Sequence, residues 1–390
     1  MSQPVQVLSL QAYYGGSHAQ FHDGWTANSS LNWTTLTLPS RHWKWRMRHA
    51  SIYFSEKIQE LAAQGQTWKM IVCTDMLNVA EFKGLLPREL ASIPILVYFH
   101  ENQFEYPNRA GFKRDQHFPF TNFTTALAAD HTWYNSRFNF DSMLDGLNRQ
   151  SKRWPDFVPA AAIGSLESKL EIQPPGIDLP PVDVNEYLIV RKQRAVDRQP
   201  MHIVWAARWE HDKNAEDLLA ALKILTENDL PFRLSVLGQS FRYLPPVFDE
   251  IKSTFPDQIS RWGFQESRKQ YWEALAEADI FVSTANHEFF GLSAAEAIAV
   301  GLHPVFPNRL AYPELLGHAY TESEIESCLY DGTAGGLAQT LTKIHQQRSD
   351  GNWDSNLEAS TRLIDQIGWD SRAKQLDDSL NGLLSPPSKT

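Results

Sequence analysis

The sequence predicts an α/β protein built from two Rossmann-like halves that face each other across a cleft. The chain has 390 residues, which suits two domains better than a single core. Short apolar runs typical of buried strands alternate with helical stretches along both halves of the chain. A proline-rich segment near the middle separates the two series. The hydrophobic fraction of 42% is that of a folded globular protein.

The first half begins with a buried strand, Val5–Leu10, which leads through Gly15 and Gly16 into a helix. Adjacent glycines let the backbone approach a ligand closely, because neither carries a Cβ atom. Further strands are predicted at Met70–Thr74, Ile95–Phe99 and Thr132–Asn135, with helices at Ala50–Ala63 and Thr121–Ala129. Strands that alternate with helices indicate a mostly parallel sheet.

The second half repeats this pattern after a loosely patterned segment that contains two Pro-Pro pairs. Its strands are predicted at His202–Ala207, Phe232–Gly238, Ile280–Thr284 and His303–Phe306, and its helices at Ala215–Thr226, Lys269–Ala278 and Ser293–Val300. A last helix, Ser371–Leu384, either packs back on the first half or forms a plain terminal helix. We therefore predict an N-terminal domain over 1–172, a linker over 173–199, a C-terminal domain over 200–368 and a terminal helix within 369–390.

Composition and motifs exclude several classes of protein. The net charge of −10 argues against a protein that coats nucleic acid through bulk electrostatics. Only Cys73 and Cys328 are present, and no set of acidic or histidine residues has convincing metal spacing, so we expect neither a disulfide framework nor a metal site. The sequence contains no P-loop, GxSxG or GxGxxG motif. Without a signal peptide or a long apolar run, we expect a cytoplasmic protein that does not enter a membrane.

Two carboxylates, Glu288 and Glu296, flank the point at which an apolar strand leads into a helix. Backbone N–H groups at such a helix start, here at Gly291, Leu292 and Ser293, favour a phosphate. The two acids would then bind the hydroxyl groups of a nucleotide sugar. A structural interpretation is also open, because Ser293 and Glu296 match a capping box in which Glu296 accepts from the backbone N–H of Ser293.

Two basic residues, Arg208 and Lys213, lie on the loop that follows the predicted strand His202–Ala207. An Arg fork and a Lys point charge at the carboxyl edge of a parallel sheet can hold a diphosphate. A solvated loop is the alternative. The diphosphate interpretation is favoured because Glu288 and Glu296 are predicted at the same edge of the same sheet.

Three polar residues, His100, Glu101 and Asn102, directly follow the predicted strand Ile95–Phe99. They are expected at the carboxyl edge of the first sheet, together with His18, which follows the first strand. There they could form hydrogen bonds with a ligand. The alternative is a turn capped by Asn102, with His100 as an ordinary loop residue.

The densest basic cluster of the chain interleaves cations with two tryptophans. Its members are Arg41, Trp43, Lys44, Trp45, Arg46 and Arg48. Cations that bind phosphates and aromatic rings that stack on bases are typical of a surface for single-stranded nucleic acid. Arg109, Lys113 and Arg114 would extend this surface. A helix start with buried tryptophans and solvated arginines explains the cluster equally well.

Four motifs occur in the same order as in a known family. They are Gly15-Gly16, Pro175-Gly-Ile-Asp178, Arg208 with Lys213, and Glu288 to Glu296. Together they resemble the retaining GT-B glycosyltransferase family that includes sucrose synthases and mannosyltransferases. The resemblance implies that Arg208 and Lys213 bind the donor diphosphate, that Glu288 contacts the donor sugar and Glu296 the nucleotide ribose, and that transfer needs no metal. Ala207 departs from this pattern, because many members carry Gly before the Arg.

Strings in the first half are similar to a narrower group. Tyr13–His18, Trp43–Arg48 and Tyr98–Gln103, with Tyr106-Pro107, resemble the glycosyltransferase-like domain-containing group associated with tRNA-queuosine mannosyltransferases. This implies a GDP-mannose donor, no cofactor, and transfer of mannose to the cyclopentenediol of queuosine at anticodon position 34 of tRNA-Asp. The N-terminal domain would bind the tRNA and the C-terminal domain the donor. His100 would contact the sugar, while Glu101, Asn102 and His18 would orient the acceptor.

Two other functions stay open at this point. One is a GT-B enzyme with a lipid or glycan acceptor, in which Trp43–Arg48 would face a membrane. The other is a nucleotide-sugar or RNA-binding module without turnover, although the presence of Arg208, Lys213, Glu288 and Glu296 argues against it. No obligate protein partner is evident from the sequence.

Overall fold

The computed structural model describes residues 4–105, 115–240, 244–351 and 356–384. The chain divides into two compact units. The first contains the chain up to Gly176 together with the segment from Trp369 onward, and the second spans Ile177–Gly368. Each unit contains a six-stranded sheet in which all the recorded strand pairs are parallel, which confirms the predicted α/β class.

The sheet of the first unit has the strand order β2-β1-β3-β4-β5-β6. Its strands are β1 (Gln6–Tyr14), β2 (Asn32–Pro39), β3 (Met70–Thr74), β4 (Ile95–Phe99), β5 (His131–Tyr134) and β6 (Leu170–Ile172). Its helices are α1 (Gly16–Asn28), α2 (Trp43–Ala63), α3 (Val79–Leu85), α4 (Arg88–Ala91), α5 (His117–Ala128), α6 (Arg137–Ser151) and α7 (Ala160–Ser165), with a 3-10 turn at Leu166–Lys169. Every residue of β3 and β4 is buried, as expected for parallel strands covered by helices on both faces.

The sheet of the second unit has the strand order β12-β11-β10-β7-β8-β9. Its strands are β7 (Met201–Ala206), β8 (Phe232–Leu237), β9 (Ile259–Gly263), β10 (Ile280–Val282), β11 (His303–Pro307) and β12 (Leu329–Tyr330). Its helices are α8 (Val184–Val196), α9 (Ala215–Glu227), α10 (Val247–Thr254), α11 (Arg268–Ala276), α12 (Leu292–Ala299), α13 (Tyr312–Gly317), α14 (Glu322–Cys328), α15 (Ala334–Ser349) and α16 (Leu357–Ile367), with a 3-10 turn at His211–Lys213.

The last helix, α17 (Trp369–Leu384), packs on α1 of the first unit. The Trp369 ring lies against Gly24 and Gly176, and a Cβ atom at either glycine would overlap that ring. Buried Asp377 of α17 accepts the indole N–H of Trp25 at 2.9 Å. These contacts attach the end of the chain to its beginning.

Several elements differ from what the sequence suggested, among them the strands β2, β6, β9 and β12, none of which was predicted. Strand β2 was not predicted, because this edge strand is mostly exposed and lacks a continuous apolar run. Helix α2 begins at Trp43, about two turns before the predicted start at Ala50. The segment predicted as a linker contains α8, which is anchored by buried Arg191 through bonds to the carbonyl oxygens of Ala276, Val300 and Gly301. The anchor is tertiary, so the local sequence did not reveal it.

Candidate active site

Lys213 ends the 3-10 turn that follows β7 in the second unit. Its backbone carbonyl accepts the hydroxyl of Thr284 at 2.8 Å, and that hydroxyl in turn accepts the indole N–H of Trp205 at 3.0 Å. Because Thr284 follows β10 and Trp205 lies within β7, two neighbouring strands fix the position of Lys213. These hydrogen bonds therefore fix the backbone of the predicted loop at Lys213.

The ammonium group of Lys213 is buried beside Glu288. Its Nζ donates to the carbonyl of His287 at 2.7 Å and lies 3.2 Å from Glu288 Oε2 and 3.4 Å from Asp212 Oδ2. Burial is the largest single effect and raises the pKa of Glu288, but the charge and hydrogen bond of Lys213, together with His287 and Arg208, outweigh it, so the pKa is lowered. Glu288 is thus held ionised, and its side chain keeps 26% of its surface exposed.

The start of α12 supplies backbone donors beside this ion pair. Gly291 precedes the helix in the left-handed conformation, with φ of 95°, and within the described residues no side chain caps the helix start. The first N–H groups of a helix have no partner in the helix itself, so they can bind an anion. A pocket here is lined by Lys213, Glu288, Ser293 and Tyr312, among others. The structure therefore brings together one cation, one carboxylate and a helix start, as predicted.

Arg208 lies on the same loop, at its exposed side. The side chain is 49% exposed and lies 3.3 Å from Glu210 Oε2. Its guanidinium charge contributes to the lowered pKa of Glu288, after the larger effects of burial, Lys213 and His287.

Glu296 does not form the capping box that its spacing suggested. The residue before α12 is Gly291, so Ser293 lies inside the helix rather than at its cap. Glu296 is instead buried and forms an ion pair with Arg268 of α11, which also lies 3.4 Å from Asp178. The capping-box interpretation is therefore wrong.

Arg268 was missed by the sequence analysis. It lies 28 positions before Glu296, and no local motif connects the two. Its guanidinium lies over the rings of Tyr271 and Trp272, at 5.3 and 4.9 Å from their centroids. Burial and the hydrogen bond with Glu296 both raise the pKa of Tyr271, so a cation and a phenol hold one carboxylate.

In the first unit, His18 and His100 meet at the carboxyl edge of the sheet. Their ring centroids are 4.0 Å apart, and both side chains are buried. Burial lowers the pKa of His18 to about 4, and burial together with His18 lowers that of His100 well below its ordinary value. Both rings are therefore neutral near pH 7.

Gly15 and Gly16 lie at the start of α1 at this edge, Gly15 as the residue before the helix and Gly16 as its first residue. A Cβ atom at Gly15 would overlap the hydroxyl of Ser40, which follows β2. Gly16 has φ of 56°, a left-handed conformation that favours glycine. The space that a Cβ atom of residue 15 would occupy is therefore filled by the side chain of Ser40.

Asp75 is a buried carboxyl group that the sequence analysis also missed. It follows β3 as His100 follows β4, and its Oδ1 accepts the backbone N–H of His100 at 2.9 Å. Burial, and then the charge of Glu101, raise its pKa well above the ordinary value. Glu101 itself accepts from the side-chain amide of Gln103 at 3.0 Å.

Asn102 has a structural role, which corrects the prediction that it orients the acceptor. Its side-chain NH₂ donates to Asn139 and Ser142, and its Oδ1 accepts from the backbone N–H groups of Phe104 and Glu105. These partners use the full bonding capacity of the amide, and the residue is 0% exposed. The alternative of a turn held by Asn102 is the one that the structure supports.

Several buried polar atoms at this edge lack a hydrogen-bond partner within the described part of the chain. They are Gln11 Oε1, His18 Nδ1, Thr74 Oγ1, Asp75 Oδ2 and His100 Nε2. Buried polar atoms are normally satisfied by protein or water. Their concentration at or just beyond the carboxyl-terminal parts of β1, β3 and β4 identifies this edge as the polar centre of the first unit.

Apart from Arg41, which precedes the helix, the basic cluster lies in the first turns of α2. Trp45 is 60% exposed and stacks on His49, with ring centroids 5.0 Å apart. Arg46 is buried and donates to the carbonyl of Pro39 at 3.0 Å, so it supports the fold rather than the surface. Arg41, Lys44 and Arg48 are exposed.

Three further predicted nucleic-acid residues, Arg109, Lys113 and Arg114, lie outside the described residues. Across the described ranges, no group of three or more His, Cys, Asp and Glu side chains could hold a metal ion. Within the same ranges, no helix is both long and apolar enough to cross a membrane.

Comparison with known proteins identifies both parts of the chain. A family model described as tRNA-queuosine alpha-mannosyltransferase N-terminal matches residues 6–177. A second model, described as glycosyl transferases group 1, matches residues 189–350. The two matches cover the same strands and loops from which the candidate site was built.

Individual proteins agree with these models. The chain is 32% identical over 312 residues to a tRNA-queuosine alpha-mannosyltransferase of Drosophila melanogaster, which covers 79% of this chain and 81% of the relative. It is 24% identical over 198 residues, 47% of this chain and 48% of the relative, to the GDP-mannose:cellobiosyl-diphosphopolyprenol alpha-mannosyltransferase of Xanthomonas oryzae pv. oryzae (strain PXO99A).

A solved structure supports the fold. The sucrose-phosphate synthase of Thermosynechococcus elongatus superposes with a TM-score of 0.70 at 15% identity, over 98% of this chain and 99% of that one. The predicted GT-B fold is thereby confirmed. The chain belongs to the tRNA-queuosine alpha-mannosyltransferase family of GT-B glycosyltransferases.

Proposed function

We propose that this glycosyltransferase moves mannose from GDP-mannose to the cyclopentenediol of queuosine at position 34 of the anticodon of tRNA-Asp, with retention of configuration. The observation that carries the donor part is the Lys213–Glu288 ion pair beside the start of α12. The name of the Drosophila relative supports queuosine in tRNA as the acceptor.

The donor diphosphate is bound by Lys213, by Arg208 and by the backbone N–H groups at Gly291, Leu292 and Ser293. A cation and a helix start both favour negative charge, so they stabilise the diphosphate as it leaves the sugar. The ionised Glu288 accepts hydrogen bonds from hydroxyl groups of the sugar. The GDP-mannose named for the Xanthomonas relative supports this choice of donor.

The chemical step needs no covalent glycosyl-enzyme. In the proposed reaction, the bond from the anomeric carbon to the diphosphate breaks, and the acceptor hydroxyl attacks on the same face. A phosphate oxygen of the leaving group accepts the hydroxyl proton. His100 contacts the sugar, while His18 and Glu101 orient the acceptor. We propose that no metal and no cofactor take part.

The acceptor RNA is bound by the first unit. Exposed Trp45 offers a face on which an unpaired base can stack, and Arg41, Lys44 and Arg48 offer charges for phosphates. We propose cytoplasmic tRNA as the substrate, with no membrane and no obligate protein partner.

The direct test is an assay of the product. The protein is incubated with GDP-mannose and tRNA that contains queuosine, the RNA is digested, and the nucleosides are analysed by mass spectrometry. We expect one added hexose on queuosine and none on tRNA that lacks it. Glu288→Gln should lower turnover by on the order of 10², whereas Glu266→Gln, at an exposed position of the same unit, should not. A hexose on another base, or none at all, would contradict the proposal.

A further inference from the structure

A second set of cations and aromatic rings lies at the end of α6 and the start of α5. We name Phe120, Lys152, Arg153 and Trp154 the α6 patch. Lys152 and Arg153 are exposed, Trp154 is half-buried, and Phe120 leaves 46% of its surface exposed. The rings of Phe120 and Trp154 pack edge to face, with centroids 6.0 Å apart.

The end of α6, directly before the α6 patch, contacts the segment that follows β4. Near the end of α6, Arg149 forms an ion pair with Glu105, which belongs to the segment that follows β4. The next residue, Gln150, donates to the side chain of Gln116 just before α5. These two contacts hold the end of α6 against the segment that follows β4 and against the residue before α5.

The first turn of α5 connects the α6 patch with the basic cluster of α2. Phe118 packs against Trp43, with centroids 5.0 Å apart, and the guanidinium of Arg48 lies 5.1 Å from its ring. Two residues further on, Phe120 packs against Trp154. The two groups of cations and rings therefore flank a single helical turn.

The chemistry of the α6 patch suits RNA. A chain with a net charge of −10 here exposes two adjacent cations beside an aromatic pair, which is a local reversal of sign. Cations bind phosphates, and an exposed ring that is already packed edge to face keeps a face on which a base can stack. An acidic protein would use the charges but would not require the exposed ring.

We propose that the α6 patch is a second RNA-binding surface, which holds tRNA together with the start of α2. This inference rests on the proposed function. Lys152 and Arg153 each contact a phosphate, and Phe120 stacks on a base that is not paired. Neither these two cations nor the ring of Phe120 takes part in the transfer step.

The test measures binding of tRNA that lacks queuosine, by fluorescence anisotropy at several salt concentrations. Lys152→Ala/Arg153→Ala should weaken binding by about tenfold or more and reduce the salt slope by roughly two units, because each phosphate contact contributes about one. Phe120→Ala should weaken binding by about tenfold with an unchanged slope, because stacking involves no counterion release.

The matched control is Lys69→Ala/Arg88→Ala. It removes the same charge from exposed positions of the same unit, shortly before β3 and β4 and hence toward the opposite edge of the sheet. Unchanged affinity and slope for Lys152→Ala/Arg153→Ala, or equal losses in the control, would overturn the proposal. So would patch-dependent flotation with phosphatidylserine vesicles while tRNA binding is unaffected.

The outcome is separable from that of the proposed function. Binding of tRNA without queuosine involves neither the donor nor the acceptor diol. If the wild-type protein binds tRNA through the α6 patch but adds no hexose to queuosine, the proposed reaction is contradicted and the proposed RNA-binding surface is still supported.

Discussion

The imidazole rings of His18 and His100 lie with their centroids 4.0 Å apart, and both side chains are buried. Burial is the largest cause of the lowered pKa of each ring. A second positive charge at this distance would repel the first, so the contact also prevents both rings from being charged together. The arrangement makes the first unit sensitive to acid.

Acid should destabilise the protein through His18. Its pKa is about 4 in the folded protein and about 6.5 when unfolded, so its stabilising effect is present above pH 6.5 and is lost as the pH falls toward 4. Between pH 7 and pH 5 this residue should cost roughly 2 kcal/mol of unfolding free energy. Urea unfolding at both pH values measures the loss.

The variant His18→Gln should reduce this pH dependence, because glutamine does not titrate. His117→Gln, at an exposed position of the same unit, serves as the control and should leave it unchanged. An identical pH dependence in the wild type and in His18→Gln would contradict the prediction.

Removal of the Lys213 ammonium group should lower the free energy of unfolding and weaken binding of the donor nucleotide. Lys213→Met leaves the carboxylate of Glu288 without its nearest cation, at a cost of about 3 kcal/mol. Binding of GDP, measured by calorimetry, should weaken strongly because a diphosphate contact is lost. The exposed pair Lys223–Glu250 provides the control, and Lys223→Met should change neither quantity by much.

The double variant Lys213→Met/Glu288→Gln separates the two effects. It removes both charges, so it should recover part of the lost stability without recovering GDP binding. Recovery of GDP binding would show that Lys213 acts only through Glu288.

Arg268 should influence the nucleotide through Glu296. If Glu296 contacts the ribose, Arg268→Ala should weaken GDP binding by about tenfold, because the carboxylate loses its charged partner. The loss should be much smaller for a GDP analogue that lacks the ribose hydroxyls. Lys269→Ala, whose 74% exposed side chain lies on the same helix, is the control. Equal losses for both nucleotides would contradict a role through the ribose.

Gly15 and Gly16 should respond differently to alanine. Gly15→Ala places a Cβ atom on the Ser40 hydroxyl and should be strongly destabilising, whereas Gly16→Ala should cost only about 1 kcal/mol for its left-handed backbone. Thermal unfolding compares the two. Gly15→Ala/Ser40→Gly removes the overlap and should restore the melting temperature. A double variant that folds but no longer turns over would show that a ligand also needs the space at Gly15.

The local sequence predicted much of the fold because buried parallel strands are short, continuous apolar runs. Met70–Thr74 and Ile95–Phe99 agree with β3 and β4. Edge strand β2 lacks such a run, and α8 depends on the distant carbonyl groups that Arg191 contacts. Elements that are stabilised from elsewhere in the chain leave a weaker local signal.

The same distinction holds in the candidate site. Lys213 and Glu288 could be proposed from sequence because the carboxyl ends of parallel strands share one edge. Their ion pair also needs Thr284 to fix the loop, and that contact is tertiary. Asp75 and Arg268 carried no local motif, and each matters through a partner that is distant in the chain.

The sequence by itself determined the α/β class, the two halves and the chemical types of residue at the strand ends, because apolar runs and their alternation with helical stretches are properties of the local sequence. Only the tertiary structure decided which of those residues can still bind a ligand and which are already paired within the fold. Asn102 and Arg46 are buried and bonded within the fold, Glu296 is the partner of Arg268, and the end of α6 contacts the residue before α5. Burial and hydrogen-bond pairing decide whether a polar group can bind a ligand, and both depend on contacts between distant parts of the chain.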